Sequence, residues 1–440
     1  MAAMAPPPPA RPPPPKGPPI RPPPPKGLVS RPKPPPPRRP PPPRPPRQSL
    51  GSPRPPPATA IPKQAPKRIS DDYEICPRPT QKQRIFVPTK MNDVQIYEKD
   101  RQVGQGTYGS VFVGRHSKSR DIVALKRINT AQEENGFPIT AIREVKILKA
   151  LKHPNVVNLR EIVTSKEQGK NLPKNVFMVF EYLEYDLYGI LETPEIRLTQ
   201  DHIKSWAKQL LSGVHYMHKN RIIHRDLKAS NLLVNSKGEL KIADWGLARS
   251  WNNDMKHLTN KVITLWYRPP ELLLGSNQYN TKIDMWSVGC ILAEMFRRTG
   301  FLRGRDEVSQ LEVIFSICGH PTKENWPLIG KTCKLWRKFK PNDGEENPRR
   351  IREALKIKLP NPRWMTENAL DLIDNLMILN PEKRWSAQQA LLAEYFFDEP
   401  TTKEASDLSM RFAVGSMHEW EHRKKHEELT AQRQSMMRAK

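Results

Sequence analysis

His224-Arg225-Asp226-Leu227-Lys228-Ala229-Ser230-Asn231 is the most specific string in the chain, and Asp244-Trp245-Gly246 follows it. One short loop thus gathers a carboxylate, an ammonium and an amide. Asp226 can orient a hydroxyl and accept its proton. Lys228 can neutralise charge on a group in transfer. Asn231 and Asp244 offer the oxygen ligands that Mg2+ prefers. A purely structural loop needs none of this combination.

Toward the N-terminus lies Gly104-Gln105-Gly106-Thr107-Tyr108-Gly109-Ser110-Val111, a G-x-G-x-x-G-x-V string. Glycines let a backbone turn tightly and approach phosphates without a Cβ clash. Dinucleotide-binding folds use a similar string, but theirs opens a helix. Here strand-like sequence flanks it on both sides. Lys126, in Val123-Ala124-Leu125-Lys126, falls on the next expected strand, Ile122–Ile128. Its ammonium can contact the α- and β-phosphates of ATP if an anion fixes it. Glu144, on an expected helix, is the candidate. Phosphoryl transfer needs mainly positioning and charge neutralisation, and these groups supply both.

The rest of the pattern gives a strand-rich part followed by a helix-rich part. Val111–Val113, Ile122–Ile128 and Val176–Tyr182 read as strands. Pro138 opens a helix with Ile142, Val145 and Leu148 at helical spacing. Ile203, Trp206, Leu210, Val214 and Met217 mark a long amphipathic helix. Further helices are expected at Met285–Phe296, Val308–Cys318, Leu370–Leu379 and Ala387–Ala393.

The four motifs stand in the order and spacing of the protein-kinase signature set, and Pro269-Pro270-Glu271 closes the activation segment where that family has A-P-E. Residues 97–397 resemble this family. The resemblance implies an α+β, two-lobed kinase fold: a small β-rich N-lobe with one helix, about 97–182, and a larger helical C-lobe, about 183–397. It implies ATP and Mg2+ as cofactors. It assigns Asp226, Lys228, Lys126 and Glu144 to catalysis, and Asn231 and Asp244 to the metal. The nucleotide site carried over is Val103, Gly104, Gln105, Gly106, Thr107, Tyr108, Gly109, Val111, Ala124, Lys126, Phe180 as gatekeeper, Glu181 and Leu183 against adenine, Asp186 at the ribose, and Leu233.

Pro138-Ile139-Thr140-Ala141-Ile142-Arg143-Glu144 looks like the cyclin-binding helix of cyclin-dependent kinases. In that family the helix stays out of place until a cyclin packs on it. Ile142 would enter the cyclin, and Glu144 would then meet Lys126. Leu258 to Glu271 is similar to the same family's activation segment. Thr259 would be the activating phosphosite, with Arg143, Arg225 and Arg249 clamping its phosphate. Thr107 and Tyr108 match inhibitory phosphosites. Arg268 matches the residue that shapes a proline-directed pocket. Asp284 and Arg384 match buried scaffold positions, with Arg384 paired to Glu271. Three features resemble the transcriptional branch: the helix string, the Thr259–Glu271 segment, and Met417-His418-Glu419-Trp420 before Arg423-Lys424-Lys425. The last resembles the extension of the cyclin-K-dependent elongation kinases, whose His-Glu pair reaches the nucleotide. Its plainer alternative is a charged helix facing water. The implied partners are a cyclin K- or T-like subunit and the RNA polymerase II C-terminal domain, and the implied location is the nucleus.

One departure stands out: Trp245 occupies the family's phenylalanine position. A mitogen-activated kinase fits less well, since Thr259-Asn260-Lys261 lacks its Thr-x-Tyr. A non-catalytic scaffold is disfavoured because every catalytic group is present.

Residues 1–90 hold 34 of the 48 prolines and carry +15 of the chain's net +27, leaving +12 for the rest. Proline fixes φ and removes donors, so this tail is expected to be disordered with polyproline II character. It offers P-x-x-P strings to SH3- or WW-type grooves, or acts as a spacer. Its basicity suits acidic partners or simply solubility, and no sequence-specific nucleic-acid contact is expected. Residues 398–440 read as a charged, partly helical extension. The four cysteines, Cys76, Cys290, Cys318 and Cys333, lack metal-site spacing and suit free thiols. No apolar run approaches the ~20 residues of a membrane span, so a soluble intracellular protein with no membrane partner is expected.

Replacing Asp226 by Asn removes the proton acceptor and should lower turnover at least ~100-fold. Steady-state kinetics on a Ser-Pro peptide check this, and undiminished kcat would remove Asp226 from its role.

Overall fold

The computed structural model describes residues 92–106, 109–128, 137–165, 175–252, 258–342, 344, 346–403, 418–421, 423, 424, 427, 428 and 430. The proline-rich tail, Cys76, Thr107 and Tyr108 lie outside the described residues.

The expected β-rich part is a six-stranded sheet in the order β1-β5-β6-β4-β3-β2. Its strands are β1 (Asn92–Asp93), β2 (Tyr97–Gly106), β3 (Gly109–His116), β4 (Ile122–Ile128), β5 (Leu159–Ser165) and β6 (Asn175–Glu181). β2 and β3 run antiparallel with Gly104 opposite Val111 and Gly106 opposite Gly109. The glycine string therefore bridges two strands, as the flanking sequence implies. Along β4 the side chains alternate between faces. Val123 and Leu125 enter a small outer cluster with Val94, Tyr97, Val163, Phe177 and Val179. Ala124 and Lys126 take the opposite face, toward the cleft.

The helix α1 (Ile139–Ala150) begins directly after Pro138. Proline suits this place because its missing N–H would be unpaired there anyway. The buried face of α1 is Ala141, Glu144, Ile147 and Leu148. This corrects the stripe read from sequence, since Ile142 is 41% exposed. The buried carboxylate of Glu144 displaces an apolar side chain from that face, a choice no hydrophobic pattern reveals.

The helical part follows with β7 (Tyr185–Asp186), α2 (Leu187–Glu192), α3 (Gln200–Lys219), β8 (Ile222–Ile223), β9 (Leu232–Val234), β10 (Leu240–Ile242), β11 (Arg249–Ser250), α4 (Pro270–Leu273), α5 (Lys282–Arg297) and α6 (Glu307–Cys318). Small antiparallel ladders, β10-β9-β7 and β11-β8, hold the loops between them. Thr199 and His202 form a capping box at the start of α3, satisfying end donors that would otherwise be bare. The predicted stripe Ile203, Trp206, Leu210, Val214 and Met217 is fully buried. Two later helices differ from expectation. Glu367–Leu376 lies three residues earlier than Leu370–Leu379 at both ends, and Ala387–Leu391 stops before Ala393.

Cys290, Cys318 and Cys333 are buried and unbridged. Burial pushes the Cys318 and Cys333 thiols up to about 12, so they stay protonated and behave as small apolar groups. No helix among the described residues is long and apolar enough to cross a membrane.

Arg384 and Glu271 form the expected pair, bidentate at 2.8 and 2.9 Å. The Arg384 side chain is 0% exposed and that of Glu271 4%. Arg384 also donates to the carbonyls of Lys282 (2.7 Å) and Ile378 (2.9 Å), tying α4 to α5 and to the chain after Leu376. Arg384→Ala leaves a buried carboxylate without its cation. The expected loss is about 3–5 kcal/mol in urea unfolding, and a loss under about 1 kcal/mol would show that the pair is dispensable.

Candidate active site

Asp284 organises the catalytic loop. It is 0% exposed on α5. Its Oδ2 accepts from the His224 backbone N–H at 3.0 Å and lies 2.9 Å from His218 Nε2. Its Oδ1 accepts from the Arg225 N–H at 3.0 Å. These bonds hold Arg225 at φ +67°, a left-handed conformation uncommon for a residue with a Cβ. The turn brings Asp226 to the cleft.

Asp226 Oδ1 accepts from Thr264, at 3.2 Å from its N–H and 2.9 Å from its hydroxyl. Asn231 Nδ2 donates to the Asp226 carbonyl at 2.8 Å and to Oδ2 at 3.2 Å. Lys228 Nζ stands 3.5 Å from the same Oδ2. The base candidate thus has fixed orientation, a cation beside it and an amide N–H donor behind it.

On the opposite wall, Lys126 Nζ donates to Glu144 Oε1 at 2.8 Å and to Asp244 Oδ1 at 2.9 Å. Burial alone would lower the Lys126 pKa. The Asp244 and Glu144 carboxylates outweigh it and hold the ammonium above the ordinary lysine range. The Lys126 cation in turn keeps Asp244 below the usual carboxylate value, against the opposing effect of burial. In this structure Lys126 and Glu144 are paired, and a buried ammonium needs such counter-charges in reach.

A cavity of about 430 Å³ joins the two walls. Val103, Gly104, Gln105, Gly109, Val111, Ala124, Lys126, Glu144, Phe180, Glu181, Leu183, Asp186, Asp226, Lys228, Asn231, Leu233 and Asp244 all line it. Apolar side chains from β2, β3, β4 and β9 make a slot for a flat ring, and the charged groups collect at its inner end. Val157, Tyr182, Ser230, Ala243 and Leu247 also line it. No motif marked them in the sequence.

The alternative of a solvated helix at residues 416–440 is set aside for its beginning. His418, Glu419 and Trp420 line the cavity. Glu419 N–H donates to Asp186 Oδ2 at 2.6 Å, and Arg101 on β2 pairs with Glu421 at 3.3 Å. Residues 419–421 are helical, and beyond them Arg423 and Lys424 are exposed.

Outside the cavity, Ile142 lies on the open face of α1. Thr259 is exposed. Its carbonyl accepts from Tyr279 Oη at 2.7 Å, and Arg225 Nη1 reaches the same phenol at 3.2 Å. Arg249 also acts on Tyr279 electrostatically. Arg143 stands on α1 beside Glu144.

Ile263 is at φ +69°, an outlier for a β-branched residue. Its carbonyl accepts from Arg268 Nε at 3.1 Å and Nη2 at 2.9 Å. The resemblance singled out Arg268 but not Ile263, whose strain leaves no mark on residue type.

The protein kinase domain matches residues 97–396. Cyclin-dependent kinase C-1 of Oryza sativa subsp. japonica is 46% identical over 347 residues, 76% of this chain and 64% of that protein. Cyclin-dependent kinase 9-A of Xenopus laevis is 41% identical over 326 residues, 72% of this chain and 85% of that protein. The crystal structure of the yeast RNA Pol II CTD kinase CTDK-1 complex superposes with a TM-score of 0.64 at 39% identity, covering 73% of this chain and 99% of that one. The chain spans less than two thirds of the length of the plant relative. With its ion pairs, loop and cavity so arranged, the chain belongs to the protein kinase family and, within it, to the cyclin-dependent kinases.

Proposed function

We propose that this chain is a cyclin-activated serine/threonine kinase that phosphorylates Ser or Thr followed by proline, with the RNA polymerase II C-terminal domain as its substrate. The observation that carries the reading is the placement of the base beside the Ile263 turn. Thr264 bonds Asp226 directly, so the residue after the acceptor hydroxyl meets Ile263. The Ile263 carbonyl is taken by Arg268 and cannot accept a substrate N–H. An ordinary residue there would bury an unpaired donor, whereas proline has none. The likeness to the yeast RNA Pol II CTD kinase supports the substrate, and a nuclear location follows from it.

In the mechanism, the cavity's apolar slot holds adenine below Phe180, with Glu181 and Leu183 presenting backbone groups and Asp186 near the ribose. The strand pair around Gly104, Gly106 and Gly109 covers the phosphates, and Lys126 positions them. Asn231 and Asp244 offer an amide oxygen and a carboxylate, a donor set that fits Mg2+. Mg2+ bound there supplies charge neutralisation across the phosphates. Asp226 orients the acceptor hydroxyl and takes its proton, and Lys228 faces the group in transfer.

The cyclin reading rests on Phe137, Ile139 and Ile142, which are 39%, 70% and 41% exposed around the start of α1. Such an apolar face suits a K- or T-type cyclin. Phosphate on Thr259 would meet Arg225 and Arg249, with Arg143 completing the clamp. The proline-rich tail would present its P-x-x-P strings to SH3- or WW-type domains.

The test is phosphate transfer from ATP with Mg2+ to paired Ser-Pro and Ser-Ala peptides by the cyclin-bound chain. Turnover of Ser-Pro alone is expected. Arg268→Ala releases the Ile263 carbonyl and should narrow the Pro-over-Ala ratio of kcat/KM about tenfold. Absence of transfer with either cyclin type, or a ratio indifferent to Arg268, would overturn the reading.

A further inference from the structure

Trp245 is the residue that the catalytic scheme leaves without a task. Its indole is 0% exposed. It packs beneath α1 and meets the His224 ring edge-on, with centroids 4.9 Å apart. Nε1 donates to the Ile242 carbonyl at 3.2 Å. That carbonyl also accepts from the Val157 backbone N–H at 3.0 Å, so it keeps a partner if the indole leaves. The indole N–H has no such reserve. A buried donor without an acceptor is costly, so movement of Trp245 is opposed chiefly from its own side.

The neighbouring residue is Asp244, at φ 57° and ψ 73°. This left-handed geometry is unfavourable for aspartate relative to extended backbone, and it turns the carboxylate onto Lys126. Rotating residue 244 out of it would swing the next side chain from its seat. The two residues therefore move together. Phenylalanine fills such a seat but brings no donor.

We propose that the Trp245 indole N–H acts as a positioning latch, its bond to the Ile242 carbonyl holding Asp244 toward the cleft and the seat under α1 filled. Lys126, Glu144 and Asp244 are thereby held together. The kinase consequence rests on the function proposed above, while the latch itself does not.

The experiment separates the N–H from the size of the ring. Trp245→Phe is compared with Trp245→β-(3-benzothienyl)alanine, which keeps the bicyclic shape and replaces N–H by sulfur. Hydrogen–deuterium exchange is followed at residues 243–248 of the chain without cyclin, with the helix Glu367–Leu376 as an internal standard for global stability. Both variants should exchange about 2- to 10-fold faster at residues 243–248, with the reference helix unchanged. The ratio of cyclin-free to cyclin-bound kcat/KM on a Ser-Pro peptide should fall by a similar factor. Wild-type exchange in the benzothienyl chain would overturn the latch, and so would faster exchange in the phenylalanine variant alone, which would assign the effect to ring size. If the wild-type chain transfers no phosphate, the proposed function fails while the exchange comparison still decides the latch.

Discussion

The site depends on a single buried ammonium. Lys126 comes from the sheet, Glu144 from α1 and Asp244 from the loop after β10, and the ammonium draws in both carboxylates. A lysine taken out of water without partners loses several kcal/mol of solvation. Two carboxylates return that stabilisation and fix the lobes' relation at the cleft. The same arrangement is ready for exchange. A metal–nucleotide complex offers phosphate oxygens to Lys126 and a cation to Asp244. The Lys126–Asp244 contact can open while both charges stay compensated, and Glu144 keeps the ammonium in place meanwhile.

Around that centre the backbone carries strain at three places: Arg225, Asp244 and Ile263, all at positive φ. None is glycine. Each is held by a bond that relaxation would break. Asp284 holds Arg225 through two amides. Arg225 in turn accepts from the Ile263 N–H through its carbonyl at 3.0 Å, and Arg268 takes the Ile263 carbonyl. The catalytic loop and the substrate turn are thus one hydrogen-bonded unit built on α5. Strained residues gather at functional sites because only an over-determined surrounding retains them.

Much of this was legible in the sequence, for identifiable reasons. Polar groups at fixed spacing announced Lys126, Asp226, Asn231 and Asp244, since chemistry constrains residue type. The apolar stripe of α3 announced itself because one face is buried against a continuous core. Legibility failed where long-range geometry decides. Ile142 and Glu144 exchange the places a hydrophobic pattern assigns them, because the pull on Glu144 comes from a lysine on another strand. The two-residue strands β7 and β8 have too few positions for any period. Ile263 reads as an ordinary branched residue, and its conformation comes from Arg225 and Arg268.

The segment from His418 to Glu421 shows how a charged stretch becomes part of a site. Asp186 caps α2 through the Gly189 N–H at 2.7 Å with one oxygen, and receives Glu419 N–H with the other. Both its oxygens have a task before any nucleotide arrives. A ribose hydroxyl must then share Oδ2 with Glu419 or displace it. Glu421 meanwhile reaches Arg101 on β2, on the other side of the cavity mouth. One short helical turn thus touches both walls, at a residue the nucleotide needs on one side and at a solvent-facing cation on the other. Exposed pairs such as Arg101–Glu421 are worth little alone. The buried contact at Asp186 therefore sets where the segment sits, and the surface pair orients it across the opening.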